Sequence, residues 1–283
     1  MGRTAPAAPI AVGEPVRLST RVVRLTAPNP GMMTGPGTNT YLVGAADLAV
    51  IDPGPDDDAH LDAVVAAGDG RVRAILVTHT HPDHWPAATR LAERTGAETF
   101  AFDARDGFEP DRRLADGDRV RFAADDGVTT TLEAVHTPGH ASNHLCYLLV
   151  EEGALFSGDH VMQGSTVVIS PPDGDMAVYL DSLARVRGMA LRAIAPGHGT
   201  LIDDPIAAID EYISHRRDRE VQVERALLDG DRTIDAVVAR LYADVKEELR
   251  PVAARTVHAH LLKLRADGRV AGAQVDGEWA PAR

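Results

Sequence analysis

The residues of this chain best suited to chemistry begin with His79-Thr80-His81-Pro82-Asp83-His84. This hexad holds four strong metal-ligand side chains and directly follows the apolar run Ala74-Ile75-Leu76-Val77. On a helix, His79 and His81, two positions apart, would point to nearly opposite sides, and Pro82 would break the turn. The hexad is therefore expected as a loop leaving a buried strand, where it can wrap a pair of cations. The helical zinc signature HExxH, with its i, i+4 spacing, is absent. The ordinary alternative is an exposed polar loop, and the rest of the chain has to decide between them.

Three further positions bear on that choice: His140 in Thr137-Pro138-Gly139-His140, Asp159 in Phe156-Ser157-Gly158-Asp159, and His198 in Pro196-Gly197-His198-Gly199. Each lies just beyond an expected strand. Taken singly, a His or Asp near a turn is most often a surface or capping residue. Loops at one sheet rim, however, let a rigid scaffold aim side chains from distant positions at one point. Imidazole and carboxylate donors without thiolate suit Zn²⁺, with Fe and Mn left open.

The elements expected to carry these groups alternate between strand and helix. Strand patterns occur at 21–25, 40–43, 48–51, 98–102, 119–122, 129–135, 144–150, 154–156 and 192–195, and helical patterns at about 57–67, 86–94 and 176–189. Asp175 reads as the cap of the third helix and Gly188 as its end. Stacked sheets covered by helices follow, over residues 1–204. From Pro205 the texture becomes long and helical, with segments to about 228, 233–243 and 252–266 and a hairpin-like end at 270–279. Helix, helix, helix, hairpin is a winged-helix layout, which makes 205–283 a second domain.

Composition narrows the functional classes. With 283 residues, 44% of them hydrophobic, the chain can bury one sizeable core and a small second one. No apolar run approaches the roughly 18–20 residues of a membrane span, and no segment of signal-peptide length opens the chain, so a cytoplasmic location without membrane contact is expected. The single Cys146, inside an apolar strand pattern, reads as a small buried hydrophobe. Of the net charge of −13, residues 1–204 carry 16 basic against 28 acidic groups and residues 205–283 carry 13 against 14. An acidic body argues against broad phosphate-backbone binding.

Together, the HTHPDH, TPGH, SGD and PGHG segments resemble the metallo-β-lactamase-fold hydrolases over about residues 15–204. The resemblance implies an α/β (α+β) architecture, an αββα sandwich, with two divalent metal ions along one edge. One ion would take His79, His81 and His140; the other would take Asp83, His84 and His198, with Asp159 bridging. Asp52, in Asp52-Pro53-Gly54, matches a position that supports the metal loop from behind. Asn29-Pro30-Gly31, the segment Gly35 to Tyr41 and the winged-helix-like tail resemble the lactamase-beta-2-like group, whose members are described as endoribonucleases or thioesterases.

Two ions roughly 3.5–4 Å apart supply hydroxide near neutral pH and polarise the scissile carbonyl or phosphoryl oxygen. Asp83 would orient the water and act catalytically. His144 is expected to support the ligands or pack in the core, His160 to support them, face substrate or pack, and Asn39 and Thr40 to support the site or touch substrate. His136 has no assigned partner, and His258 and His260 read as structural or solvated.

The leading function is metal-dependent hydrolysis of a small ester, with thioester or activated ester favoured by charge. The alternative is an endoribonuclease acting on single-stranded RNA, with Arg250, Arg255, Lys263, Arg265 and Arg269 lining the strand path; interleaved Glu247, Glu248 and Asp267 favour a solvated helix face instead. A non-catalytic nucleic-acid-binding module ranks third, since binding alone needs no ligand set. A homo-oligomer is left open.

Overall fold

A computed structural model describes residues 10–122, 127, 129–272 and 275–282. The beginning of the N-terminal arm (1–9) and Ala273 and Gln274 of the expected hairpin lie outside them. The chain divides into two compact units.

The first unit, residues 1–136, 143–165 and 190–205, holds two sheets. The seven-stranded sheet runs in chain order: β1 (Val16–Arg17), β2 (Val22–Thr26), β3 (Asn39–Gly44), β4 (Leu48–Ile51), β5 (Val72–Leu76), β6 (Glu98–Ala101) and β7 (Arg112–Arg113). Pairing is antiparallel up to β4 and parallel from β4 to β7. Helices α1 (Asp58–Gly68) and α2 (Ala88–Thr95) make the first two parallel crossovers. Asp57 starts α1 by accepting the His60 amide at 2.8 Å, and Gly96 ends α2 in the left-handed region.

The second sheet contains β8 (Arg119–Phe122), β9 (Thr130–His136), β10 (Leu145–Leu149), β11 (Ala154–Gly158) and β12 (Ala193–Pro196), in the order β12-β11-β10-β9-β8. Only β11 and β12 pair in parallel.

The two-residue period of a strand explains the layering. Tyr41, Val43, Ile51, Ala74 and Leu76 face the second sheet and pack with Leu132, Tyr147 and Phe156, whereas Leu42, Val50, Ile75 and Val77 face α1 and α2 and pack with Leu61, Val64 and Leu91. Each such fully buried side chain is worth about 1.5–3 kcal/mol over its exposed state. Burial on both faces is why β3, β4 and β5 read as nearly continuous apolar runs. Because β4, β5, β11 and β12 each pair in parallel with a neighbour, the loops at their carboxyl ends share sheet rims. Those loops carry Asp52, His79 to His84, Asp159 and His198.

The second unit contains α3 (Met176–Arg187), α4 (Pro205–Leu228), α5 (Ile234–Leu241), α6 (Arg250–Ala266) and the hairpin β13 (Val270–Ala271) and β14 (Ala280–Pro281). Asp175 caps α3 by accepting the Ala177 and Val178 amides, and Thr233 caps α5 through Ala236. Val223, Leu227, Val237, Val257, Leu261, Leu264 and the fully buried Trp279 form its core.

The units depart from a single cut at 204/205, because Thr137–Ser142 and Thr166–Met189 group with the C-terminal helices. The cause is local: Asp175 donates its amide to the Gly139 carbonyl, Ser182 donates to the Pro138 carbonyl at 2.8 Å, and the Ser142 amide donates to Asp173. Among the described residues no helix is long and apolar enough to cross a membrane.

Candidate metal centre

The expected loop does leave β5. Its path is fixed from beneath by Asp52, a residue in the left-handed region (φ 49°), which Asp tolerates better than most side chains. Asp52 accepts the Thr78 amide at 2.7 Å, the Thr78 hydroxyl at 2.8 Å and the Nδ1 proton of His84 at 2.8 Å. His84 is thereby tautomer-locked with Nε2 facing the site.

Six of the seven expected ligands belong to the first unit and converge. The ligand atoms of Asp83, His84 and His198 lie within 4.8 Å of one another, as do those of His79, His81 and Asp159. Asp159 Oδ1 is also 3.5 Å from His84 Nε2 and 3.3 Å from His198 Nε2, so its carboxylate faces both groups. The seventh, His140, lies in the second unit, where its Nδ1 donates to the Val168 carbonyl at 2.7 Å. That bond makes Nε2 the atom it offers to a metal.

The electrostatics suit cations. Burial works to raise the Asp83 carboxyl, but the charge on His84 and a hydrogen bond from His198 outweigh it and hold the group well below the usual carboxylate range. Burial works to lower His84 and His198, yet both are pushed up, His84 by Asp83, Asp52 and Asp159 and His198 mainly by Asp159 and Asp83. Three carboxylates around two buried imidazoles call for positive charge. His84 Nε2 is buried with no hydrogen-bond partner and sits 3.4 Å from Asp83, as a ligand atom would. A Cβ on Gly197 would lie 2.9 Å from both Asp159 Oδ1 and His84 Cε1, so glycine is what lets the PGHG loop approach. The donors fit two divalent ions, and Cys146 stays outside the set, buried with its thiol toward the Ser157 carbonyl.

The supporting residues sort by partner. His144 Nε2 accepts the Asp159 amide at 3.2 Å and its ring lies 4.9 Å from that of His79. His160 is fully buried with its ring 6.2 Å from His144. Asn39 donates to the carbonyls of Pro196 and Gly199, both at 2.9 Å, and the Thr40 hydroxyl donates to the Asp52 carbonyl at 2.6 Å. Both are completely buried, so the substrate contact expected of them is closed and they brace the loops.

His136 stacks on Phe102 with ring centroids 4.2 Å apart; of the tail histidines, His260 is fully buried and His258 part-buried near Trp279. Sequence reasoning missed Thr38, whose hydroxyl donates to Asp83 Oδ2 at 2.9 Å, and Tyr41 and Tyr147, whose hydroxyls donate to the Pro196 and Val77 carbonyls. The signal for the tyrosines was there: a polar-tipped aromatic at a strand pattern beside a ligand loop.

Residues 33–198 match the model of the metallo-beta-lactamase superfamily, and residues 233–279 match the beta-lactamase associated winged helix domain. The chain is 34% identical to a beta-lactamase-like protein 2 homolog of Drosophila melanogaster, covering 90% of this chain and 91% of the relative. It is 35% identical to an atrochrysone carboxyl ACP thioesterase of Aspergillus chevalieri, over 90% and 84%. A beta-lactamase domain protein from Burkholderia ambifaria shares the fold with a TM-score of 0.83 at 23% identity, over 98% and 96% of the two chains.

Proposed function

The chain belongs to the metallo-beta-lactamase superfamily of hydrolases, and from that premise we propose that it hydrolyses a small thioester or activated ester at a centre of two divalent metal ions, zinc being preferred. The observation that carries the reading is the Asp159 carboxylate set between the two ligand groups.

In this reading His79, His81 and His140 hold one ion, Asp83, His84 and His198 hold the other, and Asp159 is shared. When bound, such ions polarise the scissile carbonyl and make water a nucleophile at neutral pH. Asp83, kept ionised by His84 and His198 and hydrogen-bonded by the Thr38 hydroxyl, orients the attacking water and takes its proton on the way to the leaving group. Attack breaks the carbonyl carbon to sulfur bond and releases a carboxylic acid and a thiol. Asp52, His144 and His160 hold the ligands in place.

We assign this chemistry to residues 1–204 and the winged-helix fold to 205–283, in a cytoplasmic protein. The thioesterase name of a 35% identical relative supports the substrate class. So does the tail, where Lys263 pairs with Glu220 and Asp267 and Arg269 with Glu220 and Glu224, leaving fewer cations for an RNA strand. An acyl-thioester panel and a fluorescent RNA oligomer, each with and without chelator, separate the readings. Chelator-blocked thioester turnover is expected; salt-sensitive, chelator-blocked RNA cleavage without it overturns the assignment.

A further inference from the structure

Beside His198 the first unit has a cleft of about 340 Å³; among the described residues its lining includes Met32, Met33, Pro36, Gln163 and Thr200 and no Asp, Glu, Lys or Arg. In a chain of which 25% is charged, with a net charge of −13, an uncharged cleft against a ligand histidine is selective. We propose that it receives the neutral, apolar acyl arm of the substrate; this rests on the thioester reading and names the class of acyl group it takes.

Met32 and Met33 are 64% and 50% exposed, among the most exposed large apolar side chains described. They form the tip of a tight turn whose ends are tied by reciprocal hydrogen bonds between Gly31 and Gly35, at 2.8 and 3.1 Å. The backbone is therefore fixed while the unbranched, polarizable side chains can follow the shape of an apolar guest.

Gln163 lines the same cleft and is tied to His198. Gln163 donates its amide to the His198 carbonyl at 3.4 Å, and a Cβ on Gly199 would lie 2.7 Å from the Gln163 carbonyl oxygen. A guest in the cleft lies alongside His198. No Lys or Arg is among the described residues that line the cleft to pair with the phosphate of a carrier arm or of an RNA strand, whereas an acyl chain loses only water from apolar surface. At about 30 Å³ per water-sized group, the volume suits an arm of on the order of ten heavy atoms.

Two measurements test this. In protein labelled at its methionine methyl groups, octanamide, which is neutral and not hydrolysed as a thioester, is expected to shift the Met32 and Met33 resonances, with its ω-carboxylated counterpart about tenfold weaker or more. Absence of a shift, or equal response to both, overturns the proposal whether or not thioesters prove to be substrates. In the kinetic arm, the double variant Met32→Ser, Met33→Ser is expected to raise KM for an octanoyl thioester about tenfold more than for an acetyl thioester. An equal change for both chain lengths would show that the cleft does not read the arm. Failure to turn over any thioester would instead sink the reaction assignment, leaving the methyl shifts to decide the cleft.

Discussion

The Thr38 hydroxyl donates to Asp83 Oδ2 at 2.9 Å, and its direction is set by Asn29, whose Nδ2 donates to the same hydroxyl oxygen at 2.9 Å while its Oδ1 accepts the Thr38 amide at 2.9 Å. With an N–H already pointing at its oxygen, the hydroxyl proton is left to Asp83. A residue 45 positions away thus aims the carboxylate proposed to do the catalysis.

Thr38→Val keeps the shape and removes that proton. Affinity for the second metal ion is expected to fall about tenfold, with Thr38→Ser restoring most of it. Competition against a chelator of known affinity reads this directly; equal affinities in all three proteins would show the bond to be incidental.

Asp83→Ala should lower kcat on a thioester by about 10²- to 10⁴-fold while the unfolding midpoint stays close to that of the parent. Near-normal turnover at saturating metal would remove Asp83 from the mechanism.

Asp52→Ala strips the buried Thr78 amide and hydroxyl and the His84 Nδ1 proton of their acceptor. A loss of about 3 kcal/mol in urea unfolding is expected, along with weaker metal binding. A change below about 0.5 kcal/mol, the size of an ordinary surface substitution, would contradict the bracing role.

Acid should destabilise the chain through two buried histidines. Burial, opposed in part by Asp57, lowers His60 to about 4, and burial with the nearby Arg216 and Arg219 lowers His260 to about 3. The unfolded chain takes up these protons below about 6.5 and the folded chain does not. Their stabilisation is therefore complete above that pH and falls as pH drops toward 4 and 3, by up to about 1.4 kcal/mol per pH unit for each group. Urea midpoints at pH 7, 6 and 5 check it, and His260→Leu should flatten the slope; an unchanged slope in that variant denies His260 its part.

How much of this was legible depended on range along the chain. The loop character of His79 to His84, the cap Asp175 and the strand at 48–51 are written in a few neighbouring residues. β1 and β7 were missed because two residues cannot display a period. The Asn29-Pro30-Gly31 and Gly35 to Tyr41 segments stood out, but their link to Asp83 is a contact across dozens of positions. Likewise, polarity alone could not tell that Asn39 and Thr40 turn inward toward carbonyls. The grouping of Thr137–Ser142 with α3 rests on hydrogen bonds that no local pattern records.

The central claim is a binuclear centre around Asp159. Titrating metal-free protein with Zn²⁺ and counting tightly bound ions per chain tests it most directly. Two ions, falling below two in Asp159→Ala, is the predicted result; a single ion or none, or an unchanged count in that variant, would contradict it.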